Sequence, residues 1–218
     1  AAERLSLPVG PELLRITEER LGSDYRLLTE DLAWSTLLTT TTALYLHRIT
    51  GAQRFAIGLP VHNRSKPITR SLIGPTMEVF PVDIEIEPDD SFRSLHKRVG
   101  RSILNTLRYA MPGTSPAPDF EAVVNVIPRA TQQWFGSTAA TTQWLHSGAI
   151  DGSHLLRVQM TAYAAGSEQA AEPQQVQNTE SDTASVPEFA LDINHGAAQP
   201  DQRLRASVHS VGLLSEIV

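Results

Sequence analysis

The sequence predicts one α/β (α+β) domain, and three observations carry that prediction. Strand-like runs and helical repeats alternate from Arg4 to Ile127. One run, Phe120 to Ile127, is apolar enough for the middle of a sheet, with Ala122, Val123 and Val124 at its centre. The 218 residues, 41% of them hydrophobic, suffice for one large core, because a chain of this length removes roughly 70% or more of its unfolded surface from water.

Taken in order, Arg4 to Val9 alternates Leu5 and Leu7 with Ser6 and Pro8, a strand pattern. Gly10-Pro11 opens a helical segment that ends at about Leu21, before Gly22. Thr29 is the next predicted helix start: its hydroxyl is placed to accept an orphan amide, and Glu30 and Asp31 favour the positive end of the dipole. Trp34, Leu37, Leu38, Thr41 and Tyr45 then recur at helical spacing, while Leu32, Leu44 and Leu46 lie off that stripe. Such a helix is apolar nearly all round and is expected to be buried on several sides. Its apolar stretch, Leu32 to Leu46, holds five threonines and is shorter than the ~20 residues of a membrane span. Gly51 stops it.

Arg54 to Leu59 reads as a strand leading into Pro60, followed by turn chemistry through Asn63 and Pro67. Glu78 to Ile86 alternates as a second strand, and Pro88-Asp89-Asp90-Ser91 is a helix entry. In that helix Phe92, Leu95, Val99, Ile103 and Leu107 share one face, and Arg93, Lys97, Arg98 and Arg101 form a basic face read as solvated surface. A loop rich in Pro, Gly and Ser, Pro112 to Pro118, leads into the apolar strand. Residues 154–164 alternate as a further strand, with Leu156, Val158 and Met160 on one side. Residues 165–185 are too polar to offset the entropy of ordering and are expected to form a mobile loop. Glu188 to Ile193 returns to a strand pattern, and Pro200 to Val218 to a helical one.

Charge and composition exclude several chemistries. With 24 acidic and 18 basic residues the net charge is −6, the wrong sign for a protein held mainly by phosphate backbones, so nucleic acid is not an expected partner. No membrane partner is expected either. The absence of cysteine removes disulfides, thiolate metal sites and a cysteine nucleophile, and fits a cytoplasmic setting. The start, Ala1-Ala2-Glu3-Arg4, has no initiator Met and no signal pattern, so the chain is expected to begin partway into a longer protein. His47, His62, His96, His146, His154, His195 and His209 are scattered singly, with no spacing that aims two imidazoles at one metal, so no metal site is expected. No nucleophile elbow, phosphate loop or dinucleotide fingerprint occurs.

The segment His146-Ser147-Gly148-Ala149-Ile150-Asp151-Gly152 nearly spells His-His-x-x-x-Asp-Gly, the catalytic signature of a large acyltransferase superfamily. The second His of that signature is its general base, and Ser147 at that position cannot take up a proton near neutral pH. Asp-Gly is also an ordinary turn dipeptide. No catalytic residue is therefore assigned within the chain.

A broader pattern resembles the condensation domains of nonribosomal peptide synthetases. Leu37 to Arg64 reads as a long apolar helix, a Thr50-Gly51 stop, a strand, and then Gly58-Leu59-Pro60-Val61-His62-Asn63-Arg64, similar to the family's Gly-x-Pro-x-x-x-Arg. Leu72-Ile73-Gly74 through Pro81-Val82 resembles the family's Ile-Gly-x-Phe-Val-Asn-Thr-x-Pro-Leu, with Thr76, Glu78 and Val79 in place of its Phe, Asn and Thr. Asp89-Asp90-Ser91-Phe92-Arg93 opens a helix as the family does, and Pro118, Phe120 and Asn125 register with a later strand. The family's His-Gln-Asp-x-Pro-Phe-Glu element is missing: Leu107 to Gly113 stands there instead. The matches run in order over residues 4–128, and Phe189 to Asn194 resembles a late strand of the family.

The resemblance implies a chloramphenicol-acetyltransferase-like lobe, a mixed β-sheet flanked by helices. All the matches fall in the family's second lobe, so residues 1–218 are expected to be a C-terminal lobe whose catalytic histidine sits on an N-terminal lobe outside the chain. It further implies a tunnel between lobes, where an amine on one carrier attacks an acyl thioester on another. Its partners would be the N-terminal lobe and the donor and acceptor peptidyl carrier proteins, and it needs no cofactor beyond the phosphopantetheine arms of those carriers. Tunnel candidates are His62, Asn63, Arg64, Glu78, Ser115, Pro118 and Asn125. Six of them also have a plain structural reading: Arg64 as an ion pair fixing its turn, His62 and Asn63 as turn residues, Glu78 as an exposed strand-end acid, Asn125 and Ser115 as hydrogen-bonding fixtures. Two other readings stay open: a related acyltransferase making esters or epimerising, and a non-catalytic docking module.

Overall fold

The structure, a computed structural model, describes residues 2–8, 19, 29–64, 67–116, 120–127, 133–135, 138–140, 156–161 and 188–194. Along the chain these form β1 (Ala2–Pro8), α1 (Glu30–Thr50), β2 (Arg54–Val61), the single turn α2 (Pro67–Arg70), β3 (Glu78–Glu85), α3 (Phe92–Tyr109), β4 (Ala122–Ile127), β5 (Gln133–Phe135), β6 (Thr138–Ala140), β7 (Leu156–Thr161) and β8 (Glu188–Asn194). Six strands form one mixed sheet in the order β1-β8-β7-β4-β2-β3, and β5 pairs with β6. The inner strands β2, β4 and β7 run parallel, and the remaining pairs of the large sheet are antiparallel. The expected α/β class and the interior place of the Val-rich strand are both present.

Register explains where the core lies. Residues directly opposite one another share a face of the sheet. Ile57 lies opposite Val82 and Ala122, Phe55 opposite Ile84, and Val126 opposite Met160. This apolar face buries itself against Trp34, Leu37 and Leu46 of α1 and Leu95, Val99 and Ile103 of α3. The two helices approach closely because Gly100 faces Thr36; a Cβ at Gly100 would lie 3.3 Å from Thr36 Cγ2. On the other face Phe120 lies over Gly58, where a Cβ would meet the Phe120 ring at 3.0 Å and Val79 Cγ1 at 2.7 Å.

Helix α1 is buried almost all round, as its off-stripe leucines predict. Thr36, Thr39, Thr40, Thr41 and Thr42 are all buried with it. Four of its threonines are accommodated because the hydroxyls of Thr36, Thr40, Thr41 and Thr50 donate to the carbonyls of Leu32, Thr36, Leu37 and Leu46, one turn back. The start differs from expectation: Thr29 has extended backbone but its hydroxyl makes no cap bond, and its carbonyl instead accepts the Ala33 N–H at 2.9 Å. Gly51 ends the helix in the left-handed region at φ 73°, donating to His47 O at 2.8 Å.

Helix α3 starts as predicted, with Ser91 Oγ accepting the Ser94 N–H at 3.1 Å. Its apolar stripe outruns its cover at Leu107, which is 42% exposed. The basic face also differs from expectation at Arg98. That guanidinium is half-buried, pairs with Asp90 and Glu87, and donates from Nε to Glu85 O at 3.0 Å. It belongs to a row that closes the sheet. Arg98, Ser102 and Thr106, spaced one turn apart, donate to the carbonyls of Glu85, Asp83 and Pro81, and Ser115 Oγ donates to that of Val79. The outward carbonyls of edge strand β3 are thereby covered, and Pro81 has no amide to offer, so the edge is shielded from pairing with another chain.

The predicted helix before Gly22, apart from the helical residue Glu19, lies outside the described residues. So do Pro118, the His146 to Gly152 segment, the expected loop at 165–185 and the expected C-terminal helix.

Candidate functional site

The residues singled out in sequence converge on one end of the sheet. Strand β2 ends at Val61, which lies opposite Glu78, the first residue of β3. The chain between them, residues 62–77, must leave the sheet and return, and its polar side chains hold that excursion in place. Asn63 adopts φ 56°, a left-handed conformation that asparagine tolerates better than most residues. It is buried, and its Nδ2 donates to Thr76 O at 3.1 Å. Thr76 Oγ1 donates in turn to His62 O at 2.8 Å, so the two sides of the excursion are pinned at two points.

Arg64 spans the interior of this loop. Its guanidinium donates to Leu72 O at 2.8 Å, Gly74 O at 2.6 Å and Thr69 O at 3.5 Å. Among the described residues its partners are backbone carbonyls, and no ion pair of the kind a structural role suggested in sequence is found there. A planar fork with five donors suits this task, and an ammonium would reach fewer of these oxygens in fixed directions. The loop so held carries apolar side chains outward: Leu72 is 46% and Met77 56% exposed, and Ile73 is fully exposed.

Glu78 is half-buried and is not the exposed strand-end acid considered in sequence. One carboxylate oxygen accepts the Gly113 N–H at 2.6 Å and the other the Ser115 N–H at 3.2 Å. Ser115 then donates to Val79 O, which ties residues 113–115 to the start of β3. His62 is exposed, and no hydrogen bond to its ring is found among the described residues. Asn125 sits elsewhere, half-buried on β4 opposite Gln159 of β7 and on the sheet face away from the helices.

Five of the seven candidates, His62, Asn63, Arg64, Glu78 and Ser115, therefore gather where β2 ends and β3 begins, Asn125 stands on an inner strand, and Pro118 is outside the described residues. Sequence reasoning passed over Thr76, treating it only as a departure from the family's Phe. The available signal was an asparagine at a strand exit, whose left-handed backbone needs a partner across the turn. Chemically the cluster is a set of hydrogen bonds from Asn63, Arg64, Thr76, Glu78 and Ser115 that fixes two loops, while the buried Asn63 Oδ1 has no partner among the described residues. Among the described residues no group of three His, Cys, Asp or Glu side chains could hold a metal ion, and no helix is long and apolar enough to cross a membrane.

Residues 29–113 match the Condensation domain family model. Over 67 residues the chain is 39% identical to the nonribosomal peptide synthetase kk1B of Curvularia clavata; this covers 31% of the chain and a share of that far longer protein that rounds to 0%. Over 77 residues it is 29% identical to the isonitrile lipopeptide synthase of Streptomyces coeruleorubidus, covering 35% of the chain and 5% of that protein. The whole chain superposes on the first condensation domain of the calcium-dependent antibiotic synthetase, solved with a substrate analogue, with a TM-score of 0.68 at 19% identity and 46% of that chain covered. It superposes likewise on the starter condensation domain of rhizomide synthetase, with a TM-score of 0.62 at 18% identity and 45% of that chain covered. The chain thus spans less than half the length of the solved domains it matches. Residues 29–113 carry the sequence pattern of the Condensation domain family, and the chain has the fold of solved condensation domains.

Proposed function

We propose that the chain is the C-terminal lobe of a nonribosomal peptide synthetase condensation domain, forming one wall of the tunnel in which a carrier-bound amine meets a carrier-bound acyl thioester. The observation that carries this reading is the family match over residues 29–113, which contains the whole 62–78 excursion, together with the fold around it. In the reaction the amine nitrogen attacks the thioester carbonyl, the C–N bond forms as the C–S bond breaks, and the amine proton leaves as a carrier thiol is released. The residues of this chain supply position. Holding two tethered reactants in one cleft is worth about 7–11 kcal/mol of barrier in well-oriented systems. A wall does this only if it is rigid, and the Asn63, Thr76, Arg64 and Glu78 hydrogen bonds supply that rigidity.

In this reading the proton-accepting histidine resides on the N-terminal lobe. The donor and acceptor carriers dock from outside with their phosphopantetheine arms, and the reaction is cytoplasmic. Leu72, Ile73 and Met77, held outward on a fixed loop, face the other lobe. The test is a carrier-to-carrier condensation assay with the 218-residue chain alone and with a co-expressed N-terminal lobe bearing an intact His-His-x-x-x-Asp-Gly motif. Product is expected only from the pair, and replacing Ile73 by Asp should weaken co-purification of the lobes. Amide formed by the chain alone, or lobes that neither associate nor react, would overturn the proposal.

A further inference from the structure

One face of α3 has no role in the reading above. Helix α3 carries five basic residues, Arg93, Lys97, Arg98, Arg101 and Arg108, and no acidic residue, in a chain of net charge −6. Arg101, Leu104, Asn105 and Arg108 fall at i, i+3, i+4 and i+7, the spacing of one helix face, and all four are exposed. They form one wall of a groove of about 1210 Å³ whose other side includes Phe120, Glu121 and Pro116. Two of the groove's arginines are already paired, Arg54 with Glu85 and Arg98 with Asp90 outside the groove. Arg101 is left with no ion-pair partner among the described residues, and the Arg108 guanidinium stands 5.9 Å from the centre of the Tyr109 ring. Within the groove Leu104, 47% exposed, stands between Arg101 and Arg108 along the helix, and arginine is enriched at protein interfaces.

We propose that this groove docks an acidic amphipathic helix of a partner protein. Its acidic edge would meet Arg101 and Arg108, its apolar stripe Leu104 and Phe120, and its opposite, basic edge Glu121 and Asp83. The occupant is a helix because the anchors lie along one straight wall, the arrangement that helix-in-groove recognition uses. It is acidic on the α3 side because no carboxylate on that helix competes for the arginines.

The probe is a fluorescein-labelled synthetic helix of about 18 residues, with a leucine stripe between a Glu edge and a Lys edge. Its binding to the 218-residue chain is read by anisotropy. Affinity should fall about tenfold or more in R101E/R108E and fall again between about 50 and about 300 mM NaCl, while staying within about twofold in R93E/K97E, which reverses charge outside the groove. A scrambled peptide of the same composition should bind about tenfold more weakly. Variants are first checked for native circular dichroism. The proposal is overturned if the peptide does not bind the folded chain, if both double variants weaken it equally, or if the scrambled peptide binds as well. It is also overturned if a single-stranded oligonucleotide binds as tightly, or if R101E/R108E instead dissolves a dimer of the chain.

Discussion

The Glu78 carboxylate accepts the Gly113 N–H at 2.6 Å with one oxygen while its other oxygen accepts the N–H of Ser115. Glu78 stands where the condensation-domain pattern carries an asparagine, and the loop it grips is the one that departs most from that pattern. In this structure the two departures meet: a carboxylate offers two charged acceptor oxygens to a short loop, where an amide offers one neutral oxygen. Hydrogen bonds to a charged group are worth about 1.5–3 kcal/mol each when shielded and less near solvent. Glu78→Ala should therefore lower the urea-unfolding free energy by about 2 kcal/mol, and Glu78→Gln by about half as much. The amides of Gly113 and Ser115 should exchange faster in both. An alanine variant as stable as the parent, with unchanged exchange, would show that the carboxylate does not hold the loop.

Gly58 gives a steric prediction. A methyl group there would lie 2.7 Å from Val79 Cγ1 and 3.0 Å from the Phe120 ring. Both neighbours are held, Val79 by the β2–β3 pairing and Phe120 by its place over the strand. Overpacking of this kind costs about 1–3 kcal/mol. Gly58→Ala should lower the unfolding midpoint accordingly, and Gly58→Ala with Val79→Ala should recover part of the loss. A single variant that is neutral would mean that the ring is free to move aside.

Asp90 sets an acid limit. Burial alone would raise its pKa, but the Glu87 N–H, the Ser94 hydroxyl and the Arg98 guanidinium together outweigh it and hold the carboxyl below its ordinary value of 3.8. A carboxyl whose folded pKa is depressed contributes stability that is present above the unfolded value and is lost as pH falls through the folded one. The stability gap between the parent and Asp90→Asn should thus be constant at neutral pH and narrow below about pH 3.8. Denaturant curves at several pH values check this. A gap that persists unchanged as the pH falls well below 3.8 would remove Asp90 from the account.

Much of the fold was legible because its signals are local. The apolar face of α1, the Gly51 stop, the Ser91 cap and the Val-rich centre of β4 each follow from spacing or from one residue's backbone preference. The site was less legible for a physical reason. Arg64 does not find a carboxylate but three carbonyls, at Thr69, Leu72 and Gly74, and nothing in a sequence marks a carbonyl as turned inward. The same holds for Arg98, Ser102 and Thr106, whose partners are the outward carbonyls of β3 and become visible only once α3 is laid along that edge. Leu107 failed as a core residue because periodicity predicts a face but not how far its cover extends. The sequence resemblance compensated in part: it drew attention to residues 62–64 and 78, though it did not name the groups they bond.

Arg64 also yields a prediction that separates shape from charge. Three carbonyls draw on its fork, and Thr76 supports the same loop independently through His62 O. Arg64→Lys keeps the positive charge but cannot serve Leu72 and Gly74 in the same plane. If geometry is what counts, the lysine variant should resemble Arg64→Ala, each losing about 1–3 kcal/mol of stability with the loss concentrated locally. Hydrogen exchange would then show residues 69–76 loosened while the amides of β2 and β3 away from the loop stay protected. If charge alone counts, lysine should rescue most of the loss. The outcome bears on function as well: Ile73 lies between two of the anchored carbonyls, so a loosened loop should weaken association with the proposed N-terminal lobe even though no contacting side chain has changed.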